Sequence, residues 1–112
     1  MSWARYHINY LRMWREAVKK IAEATRDIEP NAQVYVFGGV AENRLTVLSD
    51  IDVAIVLGKP VTPEELVEIR RKIYKRAVDT YGLPWDYPVE IHVMSKEEFE
   101  LVKKKGAAIR VA

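Results

Sequence analysis

Two carboxylates stand at the head of an apolar run, in the stretch SDIDVAIVL at residues 49–57. Side chains of a strand alternate between its two faces, so Asp50 and Asp52 would point the same way, about 6–7 Å apart. At an effective dielectric constant near ~20 their repulsion costs about 2 kcal/mol. Solvent would relieve part of that cost, and a bound divalent cation would reverse it. Hard carboxylate oxygens favour Mg²⁺ or Mn²⁺. Two polar residues that simply face water at a strand end are the plainer alternative.

A further carboxylate lies in the stretch PVEIHV at residues 88–93. The alternation of a strand places Glu90 and His92 on the face opposite the valines and the isoleucine. If this strand lies beside the first, Glu90 converges on the aspartate pair, and the three carboxylates could hold one or two metal ions for phosphoryl transfer. Asp86 is a rival for the third ligand, and His92 is interpreted as a surface or neighbouring residue and not as a ligand.

The glycine pair Gly38–Gly39 follows a short β-branched and aromatic run. Glycines at the end of a strand let the backbone approach a ligand closely and present amide groups to an anion. A short helix beginning near Val40 would add a favourable dipole for phosphate. Arg44, in the same loop, could reach a triphosphate or could simply face solvent.

Periodicity predicts the elements that would position these groups. A helical stripe from about Ala4 to Ile28 ends before Pro30, and capping boxes at Thr62 and Ser95 begin two later helices. Strands are predicted at residues 33–37, 51–57 and 89–94. The chain thus reads as an α/β (α+β) sandwich of three strands with about four helices, in the order helix, strand, possible short helix, strand, helix, strand, helix.

Composition excludes several classes of site. The chain has 112 residues, 49% of them hydrophobic, a net charge of +2 and no cysteine. These values predict one domain without disulfides or thiolate metal sites. Neither a signal peptide nor a membrane-spanning stretch is evident, so a cytoplasmic location is expected.

Taken together, the motifs carry a resemblance. Gly38–Gly39, ten residues, Asp50-Ile51-Asp52 and a carboxylate on the next strand resemble the signature of the DNA polymerase beta-type nucleotidyltransferase superfamily. More narrowly, the chain is similar to the minimal nucleotidyltransferases, small antitoxin-like partners of HEPN-domain proteins. The resemblance implies a single domain over residues 1–112 with a nucleotidyltransferase-like fold.

The resemblance also implies roles for these residues. Gly38 and Gly39 would bind the phosphates of a nucleotide, with Arg44 as a candidate beside them, while Asp50, Asp52 and Glu90 would bind Mg²⁺ or Mn²⁺ and act in catalysis. The implied reaction transfers NMP, with AMP from ATP as the expected case, to a hydroxyl of an acceptor such as a tyrosine of a HEPN toxin.

A binding module is the main alternative: an antitoxin with a weak catalytic site that neutralises its partner by covering it. Two departures from the family pattern favour it, since Gly39 stands where serine is usual and Glu42 where many members carry a basic residue. A nucleic-acid interface on the basic stretch 70–76 is a lesser alternative. A solvated helix face with a Glu68–Lys72 pair explains that stretch more simply.

The first predicted helix carries a second apolar stripe beside its core stripe. Its members are Trp3, Tyr6, Tyr10, Met13 and Ala17. A small domain rarely needs so wide an apolar arc, so this stripe suggests an interface with a HEPN partner or with a second copy of the chain. The plainer alternative is that the sheet covers more of the helix.

Overall fold

Local sequence signals set the element boundaries in this computed structural model, which describes residues 12–42 and 50–112. Both capping boxes form: Thr62 and Ser95 accept the backbone N–H groups of Glu65 and Glu98, whose side chains reach back to the cap residues. The elements in chain order are α1 (Trp14–Ile28), β1 (Gln33–Phe37), β2 (Ile51–Val56), α2 (Pro63–Asp79), β3 (Val89–Met94), α3 (Lys96–Lys105) and β4 (Ala108–Arg110).

The strands form one mixed sheet in the order β3-β2-β1-β4. β1 is antiparallel to β2 and to β4, whereas β2 and β3 are parallel. Parallel neighbours need a long crossover connection, which α2 supplies. The predicted α/β class is confirmed.

The predicted strand count of three is wrong, because β4 adds a fourth strand that the sequence did not reveal. β4 is only three residues long and follows the end of the last helix at Gly106. It forms by pairing with the open edge of β1, with Val36 opposite Ile109. Within the described residues there are three helices, against the predicted four or so.

Alternation along β2 divides the core between the two faces of the sheet. Val53 and Ile55 belong to the main core, to which α1 and α2 contribute Ile21 and Ile73. Ala54 and Val56 point to the other face, where α3 packs with Phe99. Helices therefore lie on both faces, and α3 covers the smaller core.

The described part of the first helix bears on the second apolar stripe. Ala17 is buried in the main core and is not available to a partner, whereas Met13 is 57% exposed. Trp3, Tyr6 and Tyr10 lie outside the described residues. Thr25, on the predicted core stripe, is buried and donates its hydroxyl to the carbonyl of Ile21 at 2.8 Å.

The basic stretch of α2 is largely paired with acidic groups. Arg71, and not Lys72 as predicted, binds Glu68, with Nη2 2.7 Å and Nε 3.1 Å from its carboxylate oxygens. The planar guanidinium forms two parallel bonds, which an ammonium group cannot do. Lys75 and Arg76 pair with Asp79 and Asp27. No helix within residues 12–42 and 50–112 is long and apolar enough to cross a membrane.

Candidate active site

Asp52 and Glu90 lie side by side on neighbouring strands. The parallel register of β2 and β3 pairs Asp52 with Glu90. Residues paired in this way point to the same face of a sheet. Asp52 and Glu90 therefore share the face of the sheet that carries Ala54 and Val56. Both lie near the N-terminal ends of their strands. The pairing arises because α2 returns the chain to the start of β3 beside the start of β2.

His92 completes the cluster. Its Nε2 lies 3.3 Å from Asp52 Oδ1 and 3.8 Å from Glu90 Oε1. One possible ligand atom from each of Asp52, Glu90 and His92 lies within 4.8 Å of the others. The Phe37 ring meets the imidazole edge-on at 5.3 Å. From the sequence, His92 is interpreted as a surface or neighbouring residue and not as a ligand. The signal for its place in the cluster is that it follows Glu90 by two residues, which puts both side chains on one face of the strand.

Asp50 lies outside this cluster. It is exposed and directly precedes β2. Because β2 begins with Ile51 opposite Val89, no ligating side chain of β3 stands across from Asp50. Its charge nevertheless acts on Asp52 and contributes to raising the pKa of that carboxyl.

Asp86, the rival third ligand, also lies outside the cluster. It is exposed, in the loop that precedes β3. Glu90 is therefore the carboxylate of this part of the chain that the fold brings to Asp52.

The turn at residues 38–42, called the Gly38 turn, lies close to the Asp52 carboxylate. Gly38 has φ +73°, a conformation that other residues adopt only at a cost. A Cβ at this position would lie 2.7 Å from Asp52 Oδ2, closer than contact distance. The glycine is needed for both reasons. Phe37 is the last residue of β1 and pairs with Asp52, which is how the turn reaches the carboxylate.

The turn continues through Gly39, which is partly exposed, and closes where the Glu42 N–H donates to the Gly38 carbonyl at 3.1 Å. The Glu42 carboxylate lies against Gly106, at the end of α3, where an added Cβ would be 3.2 Å away. Arg44 falls outside the described residues.

The electrostatics of Asp52 favour a bound cation. Burial is the main cause that raises the pKa of Asp52, and the charges of Glu90 and Asp50 add to it, while the hydrogen bond and charge of His92 oppose it. An ionised carboxylate is thus held where its charge is disfavoured. Two carboxylates and an imidazole fit a divalent ion, since carboxylate oxygens suit Mg²⁺ and Mn²⁺ and an imidazole nitrogen suits transition metals.

Comparisons with known proteins identify the family to which this fold belongs. The sequence profile of the nucleotidyltransferase domain matches residues 18–110. The crystal structure of a candidate nucleotidyltransferase is similar at 28% identity and a TM-score of 0.57, covering 84% of this chain and 96% of that one. No curated protein matches the sequence.

Two further solved structures resemble the chain at lower sequence identity. A candidate nucleotidyltransferase from Sulfolobus solfataricus is 24% identical with a TM-score of 0.53, covering 93% of this chain and 80% of that one. A toxin–antitoxin complex with AMP-PNP is 18% identical with a TM-score of 0.46, covering 78% and 81%. From the profile match over most of its length, the chain belongs to the nucleotidyltransferase-domain family.

Proposed function

We propose that this protein is a metal-dependent nucleotidyltransferase that transfers AMP from ATP to a hydroxyl group of a partner protein. Asp52 and Glu90 would hold Mg²⁺ or Mn²⁺, with His92 beside them and Asp50 at the open end of the site. The turn at Gly38 and Gly39 would bind the phosphates through backbone amides, and Arg44 stays a candidate phosphate ligand. A triphosphate substrate agrees with the expected cytoplasmic location.

One observation carries the proposal: the register that sets Asp52 opposite Glu90 while the Gly38 turn contacts the Asp52 carboxylate. It joins a pair of carboxylates to a backbone turn suited to an anion. A surface pair of acids would need neither a glycine at φ +73° nor a carboxylate in partial burial.

The proposed reaction is a displacement at the α-phosphorus of ATP. The acceptor oxygen forms a bond to that phosphorus, the bond from it to the bridging oxygen of the β-phosphate breaks, and pyrophosphate leaves. The hydroxyl proton passes to the Glu90 carboxylate. A bound divalent ion would supply neutralisation of the phosphate charge. The protein contributes mainly position and charge.

The exposure of Glu90 favours an acceptor carried by another protein, because a hydroxyl group on a partner could reach its carboxylate. We propose that the hydroxyl belongs to a HEPN-domain toxin, as the resemblance to minimal nucleotidyltransferases implies.

The test is to incubate the protein with Mg²⁺, the candidate partner and ATP labelled at its α-phosphate. We expect label on the partner, and at least a hundredfold less with Asp52→Asn or Glu90→Gln, since each removes a group that acts on the reacting phosphate. Asp86→Asn is the matched control, because it removes an acid just outside the cluster. Equal labelling by an Asp50→Asn/Asp52→Asn variant would remove the assignment.

A neutralising antitoxin with a weak site is the second candidate. It is favoured by Gly39, which offers no hydroxyl, and by Glu42, an acidic residue in the same turn whose carboxylate lies against Gly106. The two candidates differ in one measurement. If the Asp50→Asn/Asp52→Asn variant still neutralises the partner in growing cells, binding alone accounts for the function.

A further inference from the structure

Among residues 12–42 and 50–112, no strand pairs with the backbone groups on the outer edge of β3. β3 is the end strand of the sheet formed by the described residues. The Ile51 N–H donates to the Pro88 carbonyl and the Leu57 N–H to the Met94 carbonyl, both at 2.9 Å. Peptide groups alternate in direction along a strand, so those of Ile91 and Val93 point away from β2. An added strand could bond to them.

A groove runs along this edge between β3 and α2. One part, of about 390 Å³, is lined by Val67, Arg70, Arg71 and Tyr74 of α2 and by Val89, Glu90 and Ile91 of β3. The next part, of about 270 Å³, continues past His92 toward Met94. The groove therefore follows the strand that carries two members of the candidate site. Val67 is 57% exposed and Trp85, whose carbonyl accepts the Tyr74 hydroxyl, is 77% exposed.

The charge in the groove is positive on the side of α2. Arg70 lines both parts of the groove and forms no hydrogen bond or ion pair with residues 12–42 or 50–112, whereas its neighbour Arg71 is bound to Glu68. An acidic side chain on an occupant would complement Arg70. The exposed Val67 and the Tyr74 ring would contact an apolar one.

We propose that this edge binds an extended segment of the acceptor protein as a fifth strand, with its hydroxyl on the Glu90 face. Side chains of the added strand alternate, so the residues flanking the hydroxyl would point to α2. One of them would be apolar, against Val67 and Tyr74, and the other acidic, against Arg70. Neighbouring strands lie about 5 Å apart, which brings the hydroxyl beside Glu90. The inference rests on the proposed transfer reaction for its purpose, and main-chain pairing supplies the affinity.

The test uses a short fluorescent peptide with Val-Tyr-Glu at its centre, and measures its binding by anisotropy without nucleotide. A second peptide has the same side chains, but its backbone is N-methylated on the edge that would face β3. We expect the first to bind and the second to bind at least tenfold more weakly, because methylation removes the strand hydrogen bonds and leaves the side chains. Arg70→Glu should also weaken binding about tenfold, the effect of losing a close ion pair in a partly desolvated site.

Lys72→Glu is the matched control, since it makes the same charge change on an exposed residue of α2 outside the groove. Failure of the unmethylated peptide to bind, or equal binding of both peptides, would overturn the strand-addition site. Binding without transfer of label from ATP would keep this site and reject the proposed reaction. Label on the partner that is unaffected by Arg70→Glu would keep the reaction and reject the site.

Discussion

At the scale of single residues, Asp52 is the centre of the site and a source of instability. It contacts His92 and the Gly38 turn, and it pairs in register with Glu90. Burial and the nearby acids disfavour its charge. The proposed cation site would thus be gained at the expense of folding stability, as is common at functional sites.

The Gly38 turn gives a prediction with an internal control. Gly38→Ala would place a methyl group 2.7 Å from Asp52 Oδ2 and would strain the backbone at φ +73°. Gly82→Ala carries the same strain at φ +75°, with no atom within 4 Å of the added Cβ. Both should lower the free energy of unfolding by about 1–2 kcal/mol.

Only Gly38→Ala should also weaken Mn²⁺ binding, by about tenfold or more, because it displaces the carboxylate. Isothermal titration with Mn²⁺ and urea unfolding of both variants measure the two effects. Equal Mn²⁺ affinity in the two variants would show that the turn at Gly38 does not position a metal ligand.

Asp52→Asn is expected to stabilise the protein in the absence of metal. Because burial raises the pKa of Asp52, its ionised form is less favoured in the folded chain than in the unfolded chain. The resulting cost is present above the raised pKa and vanishes as the pH falls below the ordinary value of 3.8, where both states are protonated. At neutral pH the variant should gain up to about 1 kcal/mol.

Added Mn²⁺ should reverse that order. At a concentration ten times the dissociation constant, binding stabilises the wild-type protein by about 1.4 kcal/mol, whereas the variant has lost a ligand. Thermal unfolding of both proteins with and without Mn²⁺ measures this reversal in their order of stability. Asp86→Asn, outside the cluster, should respond to Mn²⁺ as the wild type does. A variant that is less stable than the wild type without metal would contradict this account of Asp52.

At the scale of elements, a polar contact joins α1 to the end of α2. Arg76 Nε and the Tyr81 hydroxyl both donate to Asp27 Oδ2, at 2.9 and 2.6 Å. The hydrogen bonds from Tyr81 and Arg76 lower the pKa of Asp27 below its usual 3.8. The same contact orients α2, and α2 sets the position of β3 beside β2.

The contact between Asp27 and Arg76 predicts a pH dependence of stability. Since the folded-state pKa of Asp27 is lowered, its contribution is complete above pH 3.8 and is lost as the pH falls through the folded value. Asp27→Asn should therefore be less stable than the wild type at neutral pH, and the difference should disappear in acid. Urea unfolding across the pH range measures it.

Asp79→Asn is the control for that experiment, because the ion pair of Asp79 with Lys75 lies within one helix and does not connect two elements. Its effect should be smaller at neutral pH, as for exposed pairs one helical turn apart. An Asp27 effect that persists unchanged as the pH falls far below 3.8 would show a cause other than the charge.

At the scale of the whole molecule, the sheet is covered unequally. α1 and α2 cover one face, while α3 covers part of the other and leaves the end with Asp52 and Glu90 accessible. β4 closes the edge of β1 and supports the smaller core through Ala108, which packs with the cluster containing Phe99. The last residues thus belong to the fold.

Ending the chain after Gly106 should cost about 2–4 kcal/mol of unfolding free energy. The deletion removes the backbone bonds between β1 and β4, each worth about 1 kcal/mol, and part of the smaller core. It also opens a strand edge, so the shortened protein should self-associate. Thermal unfolding and sedimentation measure both effects.

Arg110→Ala is the matched substitution in β4, since the Arg110 side chain is exposed and the backbone bonds remain. It should change stability by less than about 0.5 kcal/mol. A truncated protein that is monomeric and melts with the wild type would show that β4 contributes little.

Much of the fold and part of the site follow from the sequence. The period of the apolar residues and the two capping boxes are local signals, and the three predicted strands and the starts of α2 and α3 lie within one residue of their positions in the structure. Alternation along the third strand also put Glu90 and His92 on one face. These features depend on neighbours in the chain, which a sequence displays directly.

Only the tertiary structure decided which groups meet. The parallel register of β2 and β3 places Asp52 beside Glu90 and His92 and leaves Asp50 outside the cluster. Residues 108–110 form a strand because they pair with the open edge of β1. Register and strand addition are set by contacts between segments far apart in the chain. Local periodicity carries no information on such contacts, so the set of residues that meet in the site could not be predicted from the sequence alone.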